Sequence, residues 1–258
     1  MHLRRAALVF AAAFSFALSG AALAAPKKEH KKPRSIGAPN HGKLEGASHL
    51  HRSKHLLVRK GAEAYGLPQL TRALRHAADR VGSKYRGSVL LVGDLSAKDG
   101  GPLTHHNSHQ TGRDADVGFY VMNEKGKPVG VKHFVAFDGK GVGKELTWAR
   151  FDDARNWFFV ESLLKDQKAA VHYIFITNAL KARLLAYAQK HHASKELVAR
   201  AAAAMMSPQE ADPHDDHFHV RVSCPEDMKE CVEEATLRAP AAAAAAAREA
   251  SPPAAQGG

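Results

Sequence analysis

The sequence predicts an α+β protein: an antiparallel sheet with helices packed around it. Three observations carry that prediction. Residues 67–81 place Leu70, Leu74, Ala77, Ala78 and Val81 at helical spacing. Residues 114–121 and 217–222 alternate between polar and apolar side chains, the period of a half-buried strand. Strand-like runs also follow one another closely and mix with helices, which favours α+β.

The elements then fall in order. Pro68 suits the start of the first helix, where its missing N–H costs nothing. Residues 88–92 read as a short apolar strand. In 114–121, Asp114, Asp116, Gly118 and Tyr120 share one face, and Ala115, Val117, Phe119 and Val121 the other. Residues 151–164 have amphipathic helical spacing. Residues 172–177 are β-rich and lead at once into a helix over 178–190. Residues 195–206 are alanine-rich and helix-prone, and 217–222 form the last strand.

The chain has 258 residues, 45% of them apolar and 24% charged, enough to bury a sizeable core. No heptad or Gly-X-Y period runs through it, which excludes coiled coil and collagen. Two cysteines are too few for a disulfide scaffold or a four-cysteine zinc site. Residues 1–24 read as a secretory signal peptide: Met1-His2-Leu3-Arg4-Arg5 is basic, 6–18 is apolar, and Ala22-Leu23-Ala24 is a small-x-small cleavage signal. An uncleaved anchor is the alternative. No other apolar run is long enough to span a bilayer. The mature protein is therefore expected to be soluble, without a transmembrane segment, and periplasmic.

Residues 25–34 are Lys/Pro-rich and expected to be disordered, as is the Ala/Pro/Gly-rich tail over 238–258. One domain is expected over 35–237. The formal net charge is +11, or +9 once Arg4 and Arg5 are removed, and residues 26–60 alone carry ten Lys/Arg against two Glu. Such an arm suits an anionic wall or membrane surface, or it is a solvated leader. Export argues against nucleic acid.

The chain holds 17 histidines, and they cluster. His105-His106-Asn107-Ser108-His109-Gln110-Thr111-Gly112-Arg113-Asp114-Ala115-Asp116 and His214-Asp215-Asp216-His217-Phe218-His219 bring imidazoles and carboxylates into two short stretches. Zinc takes these donors, and a catalytic zinc keeps one position for water. On a strand, His217 and His219 face the same side, with Phe218 and Val220 in the core. Asp116 projects from its own strand, His109 lies seven residues earlier, and Gly112 lets that loop bend. Two strands and a loop can thus converge on one ion. One histidine on a strand is more often a satisfied core or surface group than a ligand, and a His-x-His alone is weak evidence. His41, His49, His51, His55, His191 and His192 read as solvated.

Ser108-His109-Gln110-x-Gly112-x-Asp114-x-Asp116, followed by His217-Phe218-His219-Val220-Arg221-Val222-x-Cys224-Pro225, resembles the penicillin-insensitive murein endopeptidases. Ser35-Ile36-Gly37-x-Pro39-Asn40-x-Gly42 and the run from Tyr173 to Asn178 add to the resemblance. It implies an α+β zinc peptidase that cuts peptide cross-links of peptidoglycan, of the D-alanyl-diaminopimelate type. Carried across, it implies zinc on His109, Asp116 and His219. His217 becomes a base or transition-state donor, His214 a second active-site histidine, and His106 a ligand of additional metal. The histidine that some relatives carry after Asp-Gly-Lys is Gly141 here, so a second metal is not expected. Arg113, apolar in relatives, is expected at the surface. Relatives carry further cysteines. Cys224 and Cys231 are the two that remain, and in an exported protein they are expected to pair, with free thiols as the alternative. No HExxH motif is present, so no helix-borne Glu base is implied. A carboxypeptidase of the same metal fold, and a non-catalytic metal- or wall-binding protein, stay open as alternatives.

Overall fold

The computed structural model describes residues 31–207 and 214–233. The predicted signal peptide, residues 25–30 and the tail over 238–258 lie outside the described residues. Arg34–Ala38 (β1) and His41–Glu45 (β2) form a hairpin. Ser48–His49 (β3) and, beyond Leu56–Val58 (β4), Tyr65–Gly66 (β5) pair with each other. Helix α1 covers Pro68–Lys84, with the expected proline in its first turn. Strands Leu90–Val92 (β6) and Asp114–Gly118 (β7) follow. Val121–Asn123 (β8), Pro128–Val129 (β9) and Ala149–Phe151 (β10) make a small sheet. Then come Asp153–Lys165 (α2), Val171–Phe175 (β11), Asn178–Lys190 (α3), Lys195–Ala204 (α4), Met205–Met206 (β12) and His217–Val222 (β13).

The main sheet has six strands in the order β12-β11-β13-β7-β6-β4. Its centre is antiparallel: β11 with β13, β13 with β7, β7 with β6. The two edge pairs, β11 with β12 and β4 with β6, run parallel. One face is buried. Ala115, Val117, Phe218, Val220 and Val222 are sealed there, and Phe159 of α2 lies 5.7 Å from Phe218, ring centre to ring centre. The other face carries the polar members of the same two strands. The fold is thus α+β, as the alternation implied.

Local chemistry sets the helix ends. Asp152 accepts a hydrogen bond from the Arg155 N–H at 3.0 Å and caps α2. Ser194 does the same for Leu197 at 3.2 Å at the start of α4. Such caps satisfy orphan N–H groups and are worth about 1 kcal/mol each.

Several expectations need correction. Phe151 belongs to β10 and not to the following helix, because Asp152 caps that helix one residue later. The helix over 195–206 stops at Ala204, where Met205–Met206 joins the sheet edge. Arg34, placed in a disordered leader, is the first residue of β1 and pairs with Glu45 and Glu230. The basic stretch from Arg34 to Lys60 is folded, not an arm. Arg113, expected at the surface, is 0% exposed. It donates to the Val222 and Val232 carbonyls and to Glu233, at 3.2, 3.0 and 2.8 Å. These partners are what make burial of a guanidinium tolerable. Glu233 also accepts from the Cys224 N–H at 2.6 Å, beside the Cys224–Cys231 disulfide. His55 is half-buried, with Nδ1 3.4 Å from the Ser88 carbonyl, rather than solvated. Among the described residues, no helix is long and apolar enough to cross a membrane.

Candidate metal centre

The register of β7 against β13 builds the site. His219 lies opposite Asp116, Arg221 opposite Asp114, and His217 opposite Gly118. Side chains directly across an antiparallel pair sit on one face, so His217, His219, Asp114 and Asp116 point the same way. Asp116 Oδ1 is the hub. It lies 3.3 Å from His109 Nε2, 3.4 Å from His217 Nε2 and 3.6 Å from His219 Nδ1. His106 Nδ1 stands 3.5 Å from the other oxygen of the same carboxylate. His106, His109 and Asp116 each offer a ligand atom, all within 4.8 Å of one another.

His109 reaches the sheet from a loop held in an unusual shape. Its φ is +70°, in the left-handed region that costs a non-glycine residue energy. Ser96 holds the loop from both sides: its hydroxyl donates to the His109 carbonyl at 2.5 Å and accepts from the Gly112 N–H at 2.9 Å. Gly112 has φ +74°, and a Cβ there would lie 2.7 Å from the Leu44 side chain. The β1–β2 hairpin supports the other flank. The Pro39 carbonyl accepts from the Gln110 N–H, and the Gln110 side chain accepts from Gly42. The Ser35–Gly42 motif therefore works as a buttress for the His109 loop.

Each imidazole is oriented by its second nitrogen. His109 Nδ1 donates to the Leu95 carbonyl at 2.6 Å, turning Nε2 toward Asp116. His219 Nε2 donates to Asp114 at 2.8 Å, leaving Nδ1 for the hub. His217 Nδ1 meets Asp216 at 2.5 Å, and His106 Nε2 meets Asp94 at 3.3 Å. Metal-binding histidines are held by such partners. His214 lies beside His217, ring centres 5.0 Å apart, and 5.6 Å from His219.

The electrostatics are those of a cation site. Burial alone would raise the Asp116 pKa, but His109 and the other imidazoles outweigh it and hold the carboxyl well below its usual range. Burial opposes a charge on His217, yet Asp116 and Asp216 prevail and push its pKa up to about 9. His109 moves up against its own burial for the same reason, through Asp116. His219 moves down, chiefly through burial. His109 Nε2 and Asp116 Oδ1 are both buried, and neither makes a hydrogen bond although they are 3.3 Å apart. Buried polar atoms left so are rare and point to a missing partner. Tetrahedral ligands held about 2.0–2.2 Å from zinc stand about 3.3–3.6 Å from one another, the spacing of His109 Nε2 and His219 Nδ1 from Oδ1. The residues present fit a metal ion.

All six candidate residues named from the sequence, His106, His109, Asp116, His214, His217 and His219, meet in this one place. Sequence reasoning missed Asp94, Asp114 and Asp216 as supports. Asp114 had a signal, since it stands two residues before Asp116 on the same strand face. Asp94 and the Leu95 carbonyl had none, because only the β6–β7 pairing brings them near. Phe134 was also missed. Its ring stacks on His217 at 5.0 Å, in space left by Gly93 and Gly118.

Fold and cluster together define a class: an α+β protein with a histidine–carboxylate site, able to hold a metal ion, on the open face of its sheet. The chain belongs to the penicillin-insensitive murein endopeptidase family, whose model matches residues 35–249, and it is thus a peptidase. Relatives of that name occur in Haemophilus influenzae, at 28% identity over 221 residues, covering 82% of this chain and 71% of the relative. The Klebsiella pneumoniae relative is 28% identical over 236 residues, covering 85% and 78%. The Yersinia enterocolitica relative is 28% identical over 221 residues, covering 79% and 71%.

Proposed function

We propose that the chain is an exported, periplasmic zinc endopeptidase that hydrolyses peptide cross-links of peptidoglycan, of the D-alanyl-diaminopimelate type. The observation that carries this is the arrangement of three imidazole nitrogens within 3.6 Å of one buried carboxylate oxygen, in a chain of this family. His109 Nε2, Asp116 and His219 Nδ1 would hold the zinc. His106 stands beside them as a further donor. Held there, a zinc ion would lower the pKa of a water to about 7 and polarise a carbonyl.

The rest is done by the chain's own groups. Asp216 takes the Nδ1 proton of His217 in a hydrogen bond and leaves Nε2 facing the site. His217 Nε2 accepts the proton of the attacking water and delivers it to the leaving amine, so that water adds across the peptide C–N bond. His214, beside it, is placed to support the same proton transfer or the oxyanion. Phe134 covers one face of His217 and keeps bulk water off the ring. The basic stretch over 26–60 would favour an anionic wall or membrane surface.

The test uses purified sacculi. The zinc-loaded protein should release cross-link cleavage products identifiable by mass, and Asp116→Ala should lose both metal and activity. Full zinc occupancy in that variant would remove Asp116 from the ligand set.

A further inference from the structure

Arg59 stands at the edge of the site and is used by nothing described so far. It directly follows β4, and its N–H is fixed to the Val92 carbonyl at 2.8 Å. Its guanidinium lies 5.5 Å above the Phe134 ring, and Phe134 stacks on His217. One aromatic ring therefore separates Arg59 from the proposed proton carrier. Nη2 binds Asp94 at 2.6 Å, and Asp94 also accepts from the Glu63 N–H. Among the described residues, Asp94 is the one group that takes a hydrogen bond from this guanidinium. The side chain is 36% exposed. A guanidinium presents five donors in a planar fork that matches a carboxylate. Arg59 thus has donors to spare, held in place by Asp94 and Phe134.

The surroundings sharpen the point. The carboxylates around the site are largely matched: Arg221 donates to Asp114, and His217 meets Asp216. Lys144, close to Asp215, is already paired with it. At this edge Arg59 keeps guanidinium donors that an incoming carboxylate can use.

We propose that Arg59 is a substrate-binding residue that docks a free carboxylate of the stem peptide beside the scissile bond. Resting on the peptidase reading above, this names the carboxylate on the carbon that bears the leaving amine of a diaminopimelate cross-link. Amidation of that carboxylate removes its charge and one acceptor. The fork then has no anion to bind, so the residue makes the enzyme sensitive to amidation of the wall.

The test compares two purified cross-linked dimers that differ only in amidation of this carboxylate. Rates are taken per bound zinc ion, so that any loosening of His106 through Asp94 is divided out. Hydrogen bonds to charged groups are worth enough for the wild type to prefer the free acid by about 10- to 100-fold in kcat/KM, mainly through KM. Arg59→Ala should collapse that preference to near unity, and Arg59→Lys should restore part of it. A preference unchanged in Arg59→Ala, or absent from the wild type, would overturn the assignment. A wild type that cleaves neither dimer while holding zinc would overturn the peptidase reading, and this inference with it.

Discussion

At the scale of single residues, the site separates metal holding from proton transfer. His217→Ala should retain zinc, because His109, Asp116 and His219 remain, yet lose about 10²–10⁴-fold in turnover. Metal analysis beside a rate assay checks both halves, and a near-normal rate would move the role to His214. The metal-free form should also carry extra protons. The His217 pKa is raised to about 9, so that group is largely protonated near pH 7 without metal, and the pKa of His109 is raised above its usual value through Asp116. Zinc binds neutral imidazole at His109, and a dication beside His217 repels the proton there, so binding should expel protons and affinity should rise with pH. Calorimetric titration in buffers of different ionisation heat should show proton release, and a buffer-independent heat would contradict it. Much of this was readable from residue types alone. Alternation placed His217, His219 and Asp116 on one face, whereas Asp94 and the Leu95 carbonyl act across a strand pairing that no local pattern encodes.

At the scale of elements, the His109 loop is the sensitive part. It combines a left-handed histidine with a glycine whose space is already taken. Gly112→Ala would force φ +74° on an alanine and press its Cβ against Leu44, and against the Leu67 nitrogen at 3.1 Å. A destabilisation of about 1–3 kcal/mol is expected, together with weaker zinc retention, because the loop carries a ligand. Thermal unfolding with and without zinc measures both. The elements themselves were legible where period was strong. The helix over 178–190 is found at those bounds, and the 217–222 strand likewise. Boundaries failed where tertiary partners decide, as at Phe151, drawn into pairing with Val121, and at Met205, drawn to Ile174. Arg113 failed for the same reason: its burial depends on Glu233, 120 residues away.

At the scale of the whole molecule, the cationic stretch is part of the folded surface. Arg52, Lys54 and Lys60 are exposed. If this surface meets an anionic wall, Arg52→Glu with Lys54→Glu should weaken binding to sacculi at low salt. The difference should fade as salt rises, since charges are screened within about 8 Å at physiological ionic strength. Cosedimentation over a salt series reads this directly, and equal binding of both proteins at low salt would count against wall docking by this face. Cleavage of a small soluble cross-linked peptide should be the same for both.

The pairing of His219 with Asp116 has a consequence for how errors are rejected. Side chains on a strand change face with every residue, so sliding β13 by one position against β7 would turn Phe218 and Val220 out to water and His217 and His219 into the apolar layer. A one-residue slip therefore cannot keep the core right while misplacing the ligands. Core packing thus rejects the nearest register errors of the donor set before any ion arrives. In the native register, with His219 opposite Asp116, the chain presents its imidazoles around one carboxylate.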